Sequence, residues 1–76
     1  MMPARYRLVT EQDGHAHVSG TVLAADEIWD MLDWESQLHR AAGWTVQNYG
    51  AMLRLQKDDT VRWVWVRVRE PLEDTL

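Results

Sequence analysis

The sequence lacks cysteine and phenylalanine entirely, and it contains only four glycines and two prolines. The absence of cysteine excludes a disulfide framework and a thiolate metal site, and with them the small secreted scaffolds and the zinc fingers. No apolar run is long enough to span a bilayer, and no segment has the charged and then apolar character of a cleavable leader. We therefore expect a cytoplasmic protein with no membrane association.

What is present is typical of a small globular protein. The 76 residues are enough for one domain, and apolar residues make up 46% of the chain, too many for intrinsic disorder. Five tryptophans dominate the aromatic residues. Because so many large rings cannot all be buried in so short a chain, we expect some Trp surface to be exposed or to lie at an interface.

Charge is distributed unevenly along the chain. The formal net charge of −4 does not favour a nucleic-acid binder, for which a basic balance is usual. Acidic residues crowd the segment 26–35, whereas most arginines occupy segments that alternate like strands. This distribution predicts a molecule with an acidic helix and an arginine-bearing sheet.

Two segments near the start of the chain have the pattern of β-strands. Residues 4–11 and 15–23 alternate between their two faces, and the Asp13-Gly14 pair between them tolerates the positive φ values of a tight hairpin turn. Gly20, inside the second segment, indicates a bulge or a close backbone approach. The pattern predicts an antiparallel hairpin.

A helix is predicted from about Ala25 to Ala42. Asp26 or its neighbour is a suitable N-cap, and Gly43 follows the last turn as a stop signal. Trp29 and Trp34 fall on the flanks, where a ring can be half covered. The apolar stripe comprises Ile28, Met31, Leu32, Leu38 and Ala42.

Three strand candidates follow the helix, at residues 44–47, 51–57 and 61–69. The pattern leaves open whether the first of them is a separate strand or the start of a bent one. Pro71 ends the last, because proline lacks the ladder N–H. Short connections force antiparallel neighbours. The predicted architecture is one α+β domain over residues 1–76, with an antiparallel sheet of four or five strands, the order ββαβββ, the helix on one face and a frayed tail at 71–76.

The strand candidate 61–69 is apolar on both faces. Its two rows are Val64, Val66 and Val68 on one side, and Trp63, Trp65, Arg67 and Arg69 on the other. Periodicity alone cannot decide which row is buried. We favour the valine row, because Arg62 and Glu70 mark its two ends. One helix covers only one face of a sheet, so the tryptophan row must meet solvent, a second copy of the chain or a partner.

The tryptophan row is the strongest candidate site. Aromatic rings interleaved with arginine can stack bases and hold phosphates, and the same residue types form the hot spots of protein interfaces. The acidic side of the helix is a second candidate, because it could imitate a phosphate backbone, although a solvated helix face also explains it. The candidate partner-binding residues are Trp63, Trp65, Arg54, Arg67 and Arg69 of the sheet and Asp26, Asp30 and Asp33 of the helix.

Two pairs of titratable side chains have the spacing of functional sites. His15 and His17 point the same way from one strand, but no third ligand is evident, so we predict no metal and no cofactor. Glu35 and His39 lie one helical turn apart within the apolar stripe, where desolvation could fit them for acid–base chemistry. We prefer a structural role in which both reach solvent or an arginine.

The sequence contains no phosphate loop, nucleophile elbow, catalytic triad order or calcium loop. We therefore expect a non-enzymatic protein-interaction module that acts as a regulator, inhibitor or accessory subunit and forms a homodimer or larger homo-oligomer. A nucleic-acid-binding domain is the alternative, and a subunit of an enzyme whose active site forms at an interface is a third. Many small accessory proteins of bacteria and phages share this size and element pattern, an analogy of fold alone.

Overall fold

The computed structural model describes residues 5–68, which form five strands and one helix in the predicted order ββαβββ. The elements are β1 (Arg5–Gln12), β2 (His15–Ala24), a 3₁₀ turn (Ala25–Glu27), α1 (Ile28–Ala41), β3 (Thr45–Asn48), β4 (Met52–Lys57) and β5 (Thr60–Val68). Arg69, Pro71 and the predicted tail lie outside the described residues. The single domain over residues 1–76 therefore stays a prediction.

All five strands belong to one antiparallel sheet with the order β2-β1-β5-β4-β3. The predicted α+β class, with one helix packed on one face of an antiparallel sheet, is therefore confirmed. The centre of the sheet joins the two ends of the described chain, because β1 pairs with β5 from Tyr6↔Val68 to Gln12↔Arg62. Residues 44–47 contribute a separate strand that begins at Thr45.

The first hairpin forms as its turn residues predict. Asp13 and Gly14 have φ values of 54° and 79°, the conformation that lets a two-residue turn match the twist of its strands. Farther from the turn, Val9 of β1 pairs with Val18 of β2. Arg7, two residues earlier on β1, pairs with Val22, four residues later on β2. The two extra residues of β2 form a bulge around Gly20, as predicted.

The start of the helix agrees with the predicted N-cap at Asp26 or its neighbour. The N-cap of α1 is Glu27, and Asp26 lies one position earlier, inside the 3₁₀ turn. The Glu27 carboxylate accepts a hydrogen bond from the backbone N–H of Ala24 at 2.8 Å. Glu27 is the third residue of the 3₁₀ turn, and its side chain is long enough to reach back to this donor. The shorter side chain of Asp26, the second residue, does not reach it.

The end of the helix is built as the stop signal predicts. Gly43 has a φ of 91°, and its N–H donates to the Arg40 carbonyl at 3.1 Å while the Trp44 N–H donates to the His39 carbonyl at 2.9 Å. This pair of bonds is the Schellman motif, which favours glycine because the left-handed conformation strains other residues. The Lys57 ammonium also donates to the Ala42 carbonyl at 2.7 Å, so β4 holds the negative end of the helix dipole.

The buried face of α1 differs from the predicted stripe. Leu38 is 45% exposed, and Ala42 is exposed at the C-cap, whereas Ser36 is buried. At 3.6 residues per turn, Leu38 lies about 120° round the helix from Leu32, too far to share its contact with the sheet. From Leu32 toward the C-terminus, the face of α1 that meets the sheet continues through polar residues such as Ser36.

The core lies between α1 and the face of the sheet that we call the inner face. Its fully buried side chains are Leu53 and Leu55 of β4 and Val64 of β5. Val66 is half-buried against this core, whereas Val68 is exposed. The preference for burial of the valine row is confirmed at Val64 and Val66. Among the described residues, the buried members of this cluster are Leu8, Ile28, Leu32, Leu53, Leu55 and Val64.

Candidate interaction surface

The face of the sheet opposite α1, here called the outer face, carries the predicted sheet residues. Side chains alternate along a strand, so the neighbours of the core residues Leu53 and Val64 point away from the helix. The register of β1, β4 and β5 sets these side chains in rows across the sheet. The central residues of the outer face are Arg7, Val9, Glu11, Met52, Arg54, Trp63, Trp65 and Arg67.

One row of the outer face is apolar. Trp65 lies opposite Val9 on one side and Met52 on the other. Val9 is only 3% exposed, although within residues 5–68 no helix lies over this face. Trp65, Met52, Trp63 and Glu11 together line an open depression of about 360 Å³. A half-buried pair of tryptophans beside an apolar depression is typical of a surface that docks another molecule.

The next row brings a cation against an aromatic ring. Trp63 lies opposite Arg54, whose guanidinium carbon is 5.9 Å from the centre of the Trp63 ring, within the range of a cation–π contact. The Tyr49 ring lies 6.4 Å from Trp63 on a tilted plane. Arg54 is oriented by Gln56, whose side-chain oxygen accepts a hydrogen bond from Nη1 at 2.9 Å. These contacts hold the guanidinium beside the ring.

The third row places Arg67 opposite Arg7. Arg7 donates from Nη1 to the Ser19 carbonyl at 2.9 Å, across the bulge of β2. Arg69, which was predicted to continue this row, lies outside the described residues. Among the central residues of the outer face, three arginines and one glutamate give a formal charge of +2.

The predicted acidic residues lie elsewhere. Asp26, Asp30 and Asp33 are exposed on the side of the helix segment that faces away from the sheet. Trp29 and Trp34 stand beside them and are 60% and 57% exposed, more than the half coverage that their flanking positions predicted. The structure therefore does not bring the aspartates together with the arginines. The acidic helix face, as we call it, consists of Asp26, Glu27, Trp29, Asp30, Asp33 and Trp34.

Four central residues of the outer face were not singled out from the sequence, namely Arg7, Val9, Glu11 and Met52, and neither was Tyr49, whose ring contacts Trp63. The signal for Met52 was present in the Asp58-Asp59 turn. A two-residue turn pairs Lys57 with Thr60 and thereby sets Met52 opposite Trp65. No local signal places Glu11 on this surface, because the pairing of β1 with β5 joins segments at opposite ends of the chain.

A polar cluster lies on the inner face, where the last turns of α1 meet the sheet. The imidazole of His39 approaches the Glu35 carbonyl oxygen through Nδ1 at 2.7 Å and the Arg62 guanidinium through Nε2 at 3.0 Å. Arg62 also donates from Nε to Gln12 at 2.9 Å, and its guanidinium carbon lies 4.4 Å from the centre of the Trp44 ring. The cluster ties α1 to β1, β5 and the segment before β3.

The hydrogen bonds of this cluster assign the tautomer of His39. A carbonyl oxygen only accepts, so Nδ1 carries the proton, and an arginine only donates, so Nε2 accepts. Both ring nitrogens are therefore occupied by protein groups. The Glu35 carboxylate lies 3.7 Å from Nδ1, too far for a hydrogen bond. His39 thus reaches an arginine, as expected of a structural pair, although the structural role itself stays a prediction.

His15 and His17 lie opposite Gln12 and Thr10, on the inner face of the sheet beyond the helix, and both are exposed. Within residues 5–68, no group of three or more histidine, aspartate or glutamate side chains is arranged to hold a metal ion. In the same part of the chain, every helix falls short of the length and apolar character needed to cross a bilayer.

Comparison with known protein families, with curated proteins and with solved structures found no match to this chain.

Proposed function

We propose that this protein is a non-enzymatic interaction module of the cytoplasm that docks on another protein through its outer sheet face, as a regulator, inhibitor or accessory subunit does. The observation that carries the proposal is the depression lined by Trp63 and Trp65 on a sheet face that no helix of the described part of the chain covers. Tryptophan and arginine are the residue types that dominate the binding energy of protein interfaces. Arg54 lies beside Trp63 and supplies the arginine.

The polar cluster at His39 supports a role other than catalysis. A general base needs an available nitrogen within reach of a substrate proton. Here Arg62 occupies Nε2 and the Glu35 carbonyl occupies Nδ1, and the Trp44 ring stands edge-on against the imidazole at 5.4 Å between ring centres. This packing suits the attachment of the helix to the sheet better than the binding of a substrate.

Capture of partner proteins from the native host tests the proposal. The double variant Trp63→Ala/Trp65→Ala should lose a partner that the wild-type protein retains, because truncating a buried interface tryptophan costs at least about 2 kcal/mol of binding energy. The matched control is Leu38→Ala, which removes an exposed apolar side chain from the helix outside its acidic side. Equal losses with both variants, or loss with the control alone, would contradict docking through the outer sheet face.

A second candidate, single-stranded nucleic-acid binding by the same face, is favoured by one observation. Tyr49, Trp63 and Arg54 form a contiguous aromatic and cationic group, and such groups stack bases and hold phosphates. Titration with an oligonucleotide tests this candidate through tryptophan fluorescence. Quenching that disappears as salt rises would favour the nucleic acid over a protein partner, because phosphate contacts release counterions.

A further inference from the structure

Two surfaces of opposite charge lie on opposite sides of this small molecule. The outer sheet face carries a formal charge of +2 among its central residues. The acidic helix face carries four carboxylates and no cation among its members. Since α1 packs on the inner face of the sheet, the two surfaces point in opposite directions.

We propose that a second copy of this chain docks its acidic helix face on the outer sheet face, so that the protein assembles head to tail. The inference rests on the proposed function of the outer sheet face as a protein-docking surface and names one occupant for it. A head-to-tail contact leaves one free surface of each kind at the two ends, so the assembly either grows with concentration or closes into a ring.

Charge decides between this arrangement and a symmetric dimer. A dimer that stacks two outer sheet faces opposes two surfaces of charge +2, and a dimer that stacks two acidic helix faces opposes two surfaces with four carboxylates each. Juxtaposed like charges disfavour an interface, whereas complementary potentials attract and orient the partners. Only the head-to-tail arrangement pairs unlike charges.

The aromatic residues on the two surfaces also complement each other. Trp29 and Trp34 project from the acidic helix face with more than half of their surface exposed. The depression of about 360 Å³ beside Trp63 and Trp65 offers an apolar site for such a ring. A ring seated there brings the neighbouring aspartates of the helix toward Arg54. Burial of tryptophan at the centre and ion pairs at the rim is the usual composition of a protein interface.

The test uses two variants, each of which blocks one surface. Met52→Glu/Arg54→Glu adds negative charge to the outer sheet face at positions outside the core, and Trp29→Ala/Trp34→Ala removes both exposed rings from the acidic helix face. Each variant alone should associate at least about 30-fold more weakly than the wild type, because the first opposes like charges across the contact and the second removes the ring that the depression would hold. An equal mixture should form dimers that contain one copy of each variant and grow no further, because each variant keeps the surface that the other lacks and the two altered surfaces carry charge of the same sign.

Sedimentation velocity and light scattering measure these states for the wild type, the variants and the mixture. The wild-type assembly should weaken as salt rises from about 50 mM to about 500 mM, because the ions screen its charges. Circular dichroism checks that each variant is folded. If Met52→Glu/Arg54→Glu is not folded, Gln47→Glu/Gln56→Glu replaces it, since both glutamines are exposed and flank Arg54.

A mixture that stays monomeric, or an assembly that strengthens with salt, would overturn the head-to-tail arrangement. A helix variant that associates as strongly as the wild type would also overturn this arrangement. Such a variant would indicate a symmetric dimer of outer sheet faces and would preserve their role in docking. A monomeric wild type that still captures another protein through Trp63 and Trp65 overturns only the inference. A monomeric wild type without such a partner overturns the proposed function as well.

Discussion

Replacing Leu53 with alanine should destabilise the protein severely. Leu53 is fully buried in the cluster between α1 and the sheet. Truncating a buried leucine to alanine costs about 2–5 kcal/mol, because it removes apolar contacts and leaves a cavity. At about 0.05–0.15 kcal/mol per residue, a chain of 76 residues has a free energy of unfolding of about 4–11 kcal/mol. The substitution therefore removes a large fraction of the total stability.

The matched control is Met52→Ala, one position earlier on the same strand. Its side chain lies on the outer face and is exposed, so its loss should cost less than about 1 kcal/mol. Unfolding in urea, followed by circular dichroism, measures both variants. With a slope of about 1 kcal/mol per molar urea for a chain of this size, Leu53→Ala should lower the midpoint by about 2 M or more.

Measurement at two protein concentrations separates folding stability from self-association, which would make the midpoint depend on concentration. The decisive comparison is between the two faces of β4. If Met52→Ala costs as much as Leu53→Ala, the outer face is buried as deeply as the face of the sheet that carries Leu53 and Val64. The assignment of Trp63 and Trp65 to an accessible surface would then be wrong.

Four further substitutions test local features of the structure. Gly43→Ala should cost about 1–3 kcal/mol of stability because of its φ of 91°, whereas Gly20→Ala, at a position with open space and no positive φ, should be nearly neutral in the same urea experiment. Arg62→Met should cost about 1–3 kcal/mol, since it removes hydrogen bonds to two side chains and the cation over the Trp44 ring, and an unchanged midpoint would show that the cluster does not hold the helix. Glu35→Gln should change stability by less than about 1 kcal/mol and leave partner capture intact; loss of capture by a folded variant would contradict the structural role.

The sequence by itself determined the elements whose causes are local. The Asp13-Gly14 and Asp58-Asp59 pairs set hairpin turns because of the φ values that these residues tolerate. Gly43 determined where the helix ends because a left-handed residue closes the Schellman motif. The burial of Val64 was also predictable, because the polar residues at the ends of the valine row mark a buried stripe.

The tertiary structure alone decided which segments meet. The pairing of β1 with β5 joins the two ends of the described chain, and no local pattern specifies it. No local pattern specifies the buried side of α1 either. Ser36 is buried and Leu38 is exposed, because the helix contacts the sheet along one line. The contacts of Arg62 with His39 and Trp44 likewise form only when the helix packs on the sheet. Turn and cap preferences act within a few residues, whereas strand order and helix rotation follow from the burial of the whole core, to which distant residues contribute together.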